Sequence, residues 1–451
     1  MVSKSTQEIL FQKNPFIEFV SRKDRPDIID IERPHIKADN VILTAVRMVK
    51  QGCSPRIIPI LGEAGYGKTH TFWTLRRKLA DSLVVYVSPP PAPERVIPHF
   101  YFSLLREIGL ELLQKLAEHV FSKYETFEEA LMNHPGPETW IIQALHALTT
   151  TNPSLRKQAK KWFAGIATGQ AKVPEESLLD DDELALAALR VLLKYIDIPV
   201  IFFVDELETT YLAFGSEAQV RYLESIKRIY NECKNHIIIL ACITELYDRI
   251  LELVSPSVQG RMERPVLLRR FTREDIETFV KRTLGEFWKQ HGVEVPSPLF
   301  PLQRKDIDKV SKKSRGNPRE VIRWLRDTIE LSKLTMFDKN DTTTKKDYRR
   351  VRELADLIRE KLSTVGVSVV NKGTSGAVIV FSPRNKSKKV AVISGSNNSD
   401  GQFLQEVLEA FNNEIYDLFS LSGSLNGHEE IKELPKDLDD AAQTIISVLS
   451  E

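Results

Sequence analysis

Residues 62 to 69 read Gly62-Glu63-Ala64-Gly65-Tyr66-Gly67-Lys68-Thr69 and decide the fold. They match the phosphate-binding loop pattern G-x-x-x-x-G-K-[ST] at every fixed position. The apolar segment 57–61 precedes this loop and a helical pattern, 70–80, follows it. The glycines let backbone N–H groups turn toward phosphate oxygens, and the helix adds its positive N-terminal end. The pattern predicts a nucleotide site that residues 62–69 form together with His70.

The last two residues of the loop and the end of a second strand predict the cofactors, ATP and Mg²⁺. Lys68 is expected to reach the β- and γ-phosphates, and the Thr69 hydroxyl to complete the shell of a Mg²⁺ ion. The apolar run 200–204 is typical of a parallel strand that is buried on both faces. It ends in Asp205, the expected second metal ligand, and Glu206, the expected base that polarises the attacking water.

The alternation of strands and helices along the chain predicts an α/β fold, a parallel-sheet P-loop NTPase. We expect a lead-in over residues 1–37 and an ATPase domain over 38–270, with a helical insert at about 96–195. A helical lid over 271–337 and a small C-terminal α/β domain over 346–451 are expected to follow. Pro59 falls inside the first predicted strand, where it removes a ladder hydrogen bond or marks a bulge.

The C-terminal region is predicted to follow the order α-β-β-β-α-β-α. That order is similar to the restriction-endonuclease-like core, a nuclease fold that holds its metal with acids on its second and third strands. Here the corresponding segments, 377–381 and 390–393, contain no carboxylate. The region is therefore either an inactive relative of that core or an unrelated small α/β module, and a binding role is expected.

Composition excludes several classes of protein. The chain has 451 residues and a formal net charge of +1, which indicates neither a strong polyanion binder nor an acidic tail protein. Its basic residues cluster at 305–326, 345–352 and 384–389. Three cysteines without C-x-x-C spacing form no disulfide framework and favour a reducing, cytoplasmic setting. No segment is typical of a signal peptide or a membrane span, and the histidines show no ligand spacing, so we expect no metal site made by the protein alone.

Four further polar residues are candidates for the site. Thr244 follows the apolar strand 236–243, where its hydroxyl could contact the γ-phosphate or the lytic water, or serve only the turn. Arg319 follows Asn317, a predicted helix cap, and Pro318, at the first helical position. An arginine at a helix N-terminus is poorly placed for the helix dipole, so Arg319 either contacts a γ-phosphate or is a surface residue. Arg261 and Arg264 lie in a loop and are either solvated or one of them acts on a neighbouring subunit's nucleotide.

These elements occur in the order found in AAA+ ATPases, which the region 38–335 resembles. The resemblance implies Walker A at 62–69, Walker B at 200–206, sensor 1 at Thr244, a finger loop at 261–264 and sensor 2 at Arg319. The run 316–319, Gly-Asn-Pro-Arg, resembles the lid of the replication-initiator (origin-recognition) branch and its STAND relatives, although that branch often has Asn at sensor 1. The insert, with 162–165 (Trp-Phe-Ala-Gly) and 180–183 (Asp-Asp-Asp-Glu), is similar to ATPases of BREX-type phage defence.

Two functions follow as hypotheses. In the first, an ATPase couples its nucleotide cycle to assembly or remodelling on duplex DNA, since the basic clusters supply cations for phosphate contacts. In the second, a nucleotide-controlled switch or scaffold with slow turnover recruits protein partners through the insert and the C-terminal domain. The resemblance also implies a homo-oligomer. The second-domain motifs of a RecA-class helicase are missing.

Overall fold

The computed structural model describes most of the chain, in two compact units. The described residues are 9–10, 13–16, 29–166, 181–336, 353–355, 357–358, 361–362, 365–371, 377–383, 389–394, 415–420, 431–435 and 437–450. One unit comprises Val20–Arg270 and is called the loop unit below. The other comprises Met1–Phe19 and Phe271–Glu451 and is called the lid unit.

A five-stranded parallel sheet forms the centre of the loop unit, in the order β2-β3-β4-β1-β5. Its strands are β1 Arg56–Leu61, β2 Leu83–Val87, β3 Val200–Val204, β4 His236–Cys242 and β5 Val266–Leu267. Every residue of β3 and β4 is buried, because helices cover both faces of the sheet. The predicted α/β fold with a parallel sheet behind the phosphate loop is confirmed.

Helices surround this sheet and also form the insert. The helices of the loop unit are α1 Ile36–Lys50, α2 Lys68–Lys78, α3 Val96–Phe121, α4 Phe127–Met132, α5 Glu138–Thr149, α6 Pro153–Phe163, α7 Asp182–Tyr195, α8 Glu208–Glu232, α9 Thr244–Leu253 and α10 Pro256–Gln259. Helices α3 to α7 make up the insert, which shares one continuous apolar core with one face of the sheet. A second core fills the other face, between the sheet and helices α1 and α2.

Pro59 is accommodated in β1 because its missing N–H lies where no partner is needed. Along β1 the carbonyls of Ile57 and Leu61 accept hydrogen bonds from Glu263 and Leu268, on the β5 side of the strand. Alternate residues of a parallel strand point their backbone groups to the same side, so Pro59 also faces β5. Strand β5 pairs only with Ile60 and Leu61, which leaves the full β1–β4 ladder intact. There is no register shift in that ladder, so of the two predicted alternatives, a lost ladder hydrogen bond or a bulge, the bulge is absent.

The part of the lid unit that follows Arg270 begins with the helices α11 Arg273–Gln290, α12 Arg304–Ser314 and α13 Pro318–Met336. Part of the predicted lead-in packs with them: the side chains of Leu10 and Phe16 are buried in the same core as α11 to α13. Asn14 fixes this segment, since its side-chain amide donates to the Arg326 carbonyl at 2.9 Å and to Glu330 Oε1 at 2.6 Å. Residues 9–10 and 13–16 are therefore part of the folded lid unit.

The C-terminal region forms a separate mixed sheet in the order β10-β9-β8-β7-β6. Its strands are β6 Val365–Asn371, β7 Ala377–Pro383, β8 Lys389–Ser394, β9 Ile415–Ser420 and β10 Ile431–Glu433, and α14 Leu438–Ser450 follows. The first three strands are antiparallel, whereas β8, β9 and β10 run parallel. Strand β10 was not expected from the sequence. The predicted basic cluster at 345–352 lies outside the described residues, as does the cluster at 384–389 except for Lys389, the first residue of β8.

Candidate nucleotide site

The loop between β1 and α2 has the backbone that its glycines allow. Gly65 and Gly67 have φ angles of 87° and 88°, in the left-handed region that side chains disfavour. Gly67 immediately precedes α2, so the N-terminal N–H groups of that helix open into the loop. A Cβ at Gly62 would lie 3.1 Å from the Tyr66 Cβ, which is a tight contact. The loop therefore requires glycine on both backbone and packing grounds.

Lys68 is held inside the loop. Its Nζ donates to the Gly62 carbonyl at 2.8 Å and to the Glu63 carbonyl at 3.3 Å, and the residue is buried. The ammonium therefore lies among the loop's own carbonyls, at the centre of the segment that the sequence predicts to surround phosphates. A cation in this position supplies the positive charge that a polyphosphate needs.

The two predicted metal ligands are brought together, although they lie far apart in the sequence. Thr69 Oγ1 donates to Asp205 Oδ2 at 2.6 Å, which places the end of the loop against the end of β3. Tyr86 donates to the same oxygen at 3.1 Å, and the Glu206 N–H donates to Asp205 Oδ1 at 3.0 Å. Burial, with the negative charges of Asp205 and Glu206, raises the pKa of the Tyr86 hydroxyl, which therefore stays protonated and donates. Asp205 is only 2% exposed.

Glu206 has an unusual backbone. It is exposed, and its φ of 53° is uncommon for a residue with a side chain. The segment is fixed by neighbouring hydrogen bonds, because the Leu207 N–H donates to the Ala241 carbonyl at 3.0 Å. Strained conformations of this kind cluster at functional sites. The strain supports a functional role for Glu206, and its assignment as the base remains a prediction.

Glu208 is a site residue that the sequence reading missed. It is buried, and its Oε2 accepts the Ile243 N–H at 3.2 Å, immediately before Thr244. Thr244 itself is half-buried at the first position of α9. Glu208 therefore ties the segment that carries Asp205 and Glu206 to the start of α9. The sequence does place this acid two residues after Glu206. Its contact with Ile243, however, is visible only in the folded chain.

Arg270 is a second missed residue, and it contacts two variable positions of the loop. Its Nε donates to the Tyr66 hydroxyl at 2.5 Å and its Nη2 to Glu63 Oε1 at 3.0 Å. Hydrogen bonds from Arg270 and Tyr66 lower the pKa of the Glu63 carboxyl. Glu63 and Tyr66 thus fix Arg270 to the phosphate loop, which gives a structural reason for side chains at positions that the motif leaves open.

The remaining predicted residues, Arg261, Arg264 and Arg319, are described within their own units. Arg261 donates through Nε to Asn231 Oδ1 at 2.8 Å and also bonds the Ser257 carbonyl, so it ties α10 to α8 within its own chain. Arg264 is exposed. In the lid unit Asn317 Oδ1 accepts the Arg319 N–H at 3.1 Å, which confirms the predicted cap, and Arg319 is half-buried in the first turn of α13. The nucleotide roles of these arginines remain predictions.

Comparisons with known proteins return distant structural likenesses. No family model and no curated protein sequence matches the chain. The solved structure of Aeropyrum pernix ORC2, in ADPNP–ADP complexes, is 10% identical with a TM-score of 0.40, and 76% of each chain is covered. A. pernix ORC1 in complex with DNA is 13% identical with a TM-score of 0.36, covering 77% of this chain and 72% of that one.

A third similar structure is the Holliday junction branch migration motor RuvB of Thermotoga maritima. It is 13% identical with a TM-score of 0.32, covering 77% of this chain and 82% of that one. Likenesses this distant assign neither a family nor a function.

Among the residues that the structure describes, no helix has both the length and the apolar composition needed to span a membrane.

Proposed function

We propose that the chain is an AAA+ ATPase that binds and hydrolyses ATP with Mg²⁺ at the phosphate loop. The observation that carries the proposal is the 2.6 Å hydrogen bond between Thr69 Oγ1 and Asp205 Oδ2. A hydroxyl and a carboxylate side by side, next to a phosphate loop, supply the oxygen ligands that a nucleotide-bound Mg²⁺ prefers. The loop with its lysine and the acid Asp205 come from distant parts of the chain, and their convergence supports a built site.

The proposed chemistry assigns one role to each group. Lys68 and the loop N–H groups neutralise phosphate charge, which is where most phosphoryl-transfer catalysis arises. Glu206 orients and deprotonates the attacking water. Thr244 contacts the γ-phosphate or that water, and Glu208 positions Thr244 through the Ile243 N–H. Arg319, in the same chain, and Arg261 or Arg264, from a neighbouring subunit of a homo-oligomer, are proposed to stabilise the transition state.

Nucleotide binding tests the first half of this proposal. Lys68→Ala is expected to weaken ATP binding at least ~100-fold, since it removes the loop's cation. Lys115→Ala, an exposed lysine on α3, is the matched control and is expected to bind as the wild type does. Binding is measured by calorimetry with a non-hydrolysable ATP analogue and Mg²⁺. Equal affinities for the wild type and Lys68→Ala would refute the proposed site.

We further propose that the ATPase cycle is coupled to assembly or remodelling on duplex DNA. The observation that supports this coupling is a groove of about 480 Å³, which basic residues of α6 line together with Leu110 and Ile166. The basic residues are Arg156, Lys157, Lys160 and Lys161. A group of cations on one helix can contact backbone phosphates and gives binding that is independent of base sequence. The lid unit has a basic segment of its own, 305–326.

A different observation favours the alternative, a switch or scaffold that recruits proteins. The insert exposes large apolar side chains, namely Leu110, Leu112, Met132, Trp140 and Ile166, which are between 37% and 79% accessible. Exposed apolar groups of this kind are typical of protein-binding surfaces when they cluster. The two functions are separated by ATP turnover with and without duplex DNA, and by a pull-down repeated after nuclease treatment.

The basic groove gives the DNA test its variants. Lys157→Glu with Lys161→Glu is expected to weaken DNA binding at least tenfold and to flatten its salt dependence, because each lost phosphate contact lowers the salt slope by about one. Lys115→Glu is the control for charge alone. DNA-stimulated turnover that is lost in the double variant supports remodelling on DNA. Turnover that is indifferent to DNA, with a nuclease-resistant protein partner, supports the scaffold.

A further inference from the structure

Three side chains whose spacing in the sequence gave no hint of a shared site come together beside the phosphate loop. Asp30 Oδ1 lies 2.8 Å from His35 Nε2 and 3.0 Å from His70 Nε2. The three atoms lie within 4.8 Å of one another. His35 is buried, whereas Asp30 and His70 are half-buried. Two imidazole nitrogens and a carboxylate oxygen therefore converge on one point of the loop unit.

An outer layer of hydrogen bonds holds the most buried of these rings in place. His35 Nδ1 lies 3.0 Å from Asp39 Oδ2, and Lys78 Nζ donates to the same oxygen at 2.7 Å. Asp39 is itself buried. This arrangement fixes the His35 ring so that Nε2 faces Asp30. A carboxylate on the outer nitrogen of a histidine is the usual support of a metal-binding histidine in proteins.

We propose that Asp30, His35 and His70 bind a divalent transition-metal ion of the zinc class, with water as a fourth ligand. Tetrahedral ligands at zinc–ligand distances of 2.0–2.1 Å lie about 3.3 Å apart, so the two separations from Asp30 Oδ1, 2.8 and 3.0 Å, need to open by only a few tenths of an ångström. The two histidine nitrogens lie within 4.8 Å of each other, a distance that small movements of the rings would adjust. Two nitrogens and one oxygen suit Zn²⁺ or Co²⁺, whereas Mg²⁺ prefers oxygen alone. The site is therefore chemically distinct from the Mg²⁺ site that we propose at Thr69 and Asp205.

Protons compete with a metal ion for the histidine nitrogens of this site. Burial alone would lower the pKa of His35, but its hydrogen bonds with Asp30 and Asp39 raise that pKa to about 9. Without metal, an imidazolium therefore joins the two carboxylates. An ion that binds must displace the proton on Nε2, as metal binding to histidine requires. Measurements of metal binding distinguish a metal centre from a hydrogen-bonded network of Asp30, His35 and Asp39 without metal.

The position of the site gives the ion a structural consequence. His70 follows Thr69 directly on the first turn of α2, and Asp30 and His35 lie in the segment that leads into α1. An ion shared by these residues cross-links residues 30–35 to the helix that carries the end of the phosphate loop. Cross-links that exist only in the folded state stabilise it by linkage.

The test uses the full chain, treated with chelator and kept free of nucleotide. We expect Co²⁺ to give the intense visible absorption of a tetrahedral site, and Zn²⁺ to remain at one ion per chain after dialysis. His35→Gln and His70→Gln are expected to abolish both signals. Asp39→Asn keeps all three ligands and is expected to weaken zinc binding 10–100-fold, as loss of an outer-layer carboxylate does.

Two control variants make the result specific. His119 lies 3.5 Å from the exposed Asp197, and His119→Gln is expected to keep full zinc binding. Asp205→Asn removes the proposed Mg²⁺ ligand and is also expected to keep it, so a failed nucleotide site and a failed zinc site give different results. Circular dichroism checks that each variant folds. The proposal is overturned if the wild type shows no tetrahedral Co²⁺ bands, or if His35→Gln binds zinc as tightly as the wild type.

Discussion

Replacement of Thr69 by valine tests the contact on which the nucleotide site depends. Valine has nearly the shape of threonine but lacks the hydroxyl that donates to Asp205 Oδ2 at 2.6 Å. Asp205 is 2% exposed, so water cannot readily replace the lost donor. Tyr86 remains on the same oxygen at 3.1 Å, which limits the loss to one of the two side-chain donors.

The expected cost follows from the charge of the acceptor. A hydrogen bond to a charged group contributes about 1.5–3 kcal/mol, so Thr69→Val is expected to lower the free energy of unfolding by about 2 kcal/mol. For a unit of this size that corresponds to a fall of roughly 4–8 °C in the thermal midpoint. Thr69→Ser keeps the hydroxyl and is expected to remain within about 1 kcal/mol of the wild type.

Thermal unfolding, measured without nucleotide and then with ATP, Mg²⁺ and EDTA, reports the contribution of the Thr69 hydroxyl to stability and to Mg²⁺ binding. Without nucleotide, Thr69→Val should unfold earlier than the wild type and Thr69→Ser should not. ATP at one hundred times its Kd stabilises the wild type by about 2.7 kcal/mol, and we expect Mg²⁺ to increase that gain by tightening binding. Thr69→Val should lose the Mg²⁺-dependent part, which EDTA reveals. An unchanged midpoint without nucleotide, or an unchanged Mg²⁺ effect, would refute the reasoning.

Three further predictions concern other residues of the loop unit. Burial lowers the pKa of His236 to about 4, against 6.5 in the unfolded chain, so the unfolded state takes up its proton first as the pH falls. From pH 7 to pH 5 the wild type should lose about 2 kcal/mol more stability in urea unfolding than His236→Asn does, and equal losses would contradict the burial argument. Glu208→Ala leaves the Ile243 N–H without its acceptor and should lower the free energy of unfolding by about 1–3 kcal/mol. It should also lower kcat more than it raises KM, whereas Glu208→Gln, which keeps an acceptor oxygen, should have neither effect. Matching kinetics of the two variants would exclude the positioning role. Gly67→Ala and Gly52→Ala both place a side chain at positive φ, and each should lower the free energy of unfolding by roughly 1–2 kcal/mol. Only Gly67→Ala should weaken ATP binding in calorimetry. Equal affinities of the two variants would show that the loop tolerates the change.

The sequence predicted those parts of the site that adjoin in the chain or follow fixed rules of α/β folds. The phosphate loop is a continuous pattern, and Asp205 follows a buried strand, whose carboxyl end shares one edge of the sheet with the loop. The hydrogen bond between Thr69 and Asp205 shows that this inference from topology placed them correctly. Local pattern and strand direction together were sufficient for that pair.

Contacts between distant residues without a repeating pattern were not predictable. Arg270 bonds Glu63 across 207 positions, and the pairing depends on where β5 ends beside β1. The histidines at 35 and 70 meet only because the segment before α1 lies against α2, so their spacing carried no metal-binding signal. Pro59 was hard to place for the same reason, since its tolerance depends on how short β5 is.

The most direct test of the central claim is the comparison of Glu206→Gln with the wild type in ATP binding and in single-turnover hydrolysis. Glu217→Gln, a change of an exposed glutamate on α8, is the control. If Glu206 is the base at a working ATP site, the variant binds Mg²⁺–ATP as tightly as the wild type but hydrolyses it at least ~100-fold more slowly. Hydrolysis by Glu206→Gln at the wild-type rate would contradict the assignment of the base, and a wild type that binds no ATP would contradict the site itself.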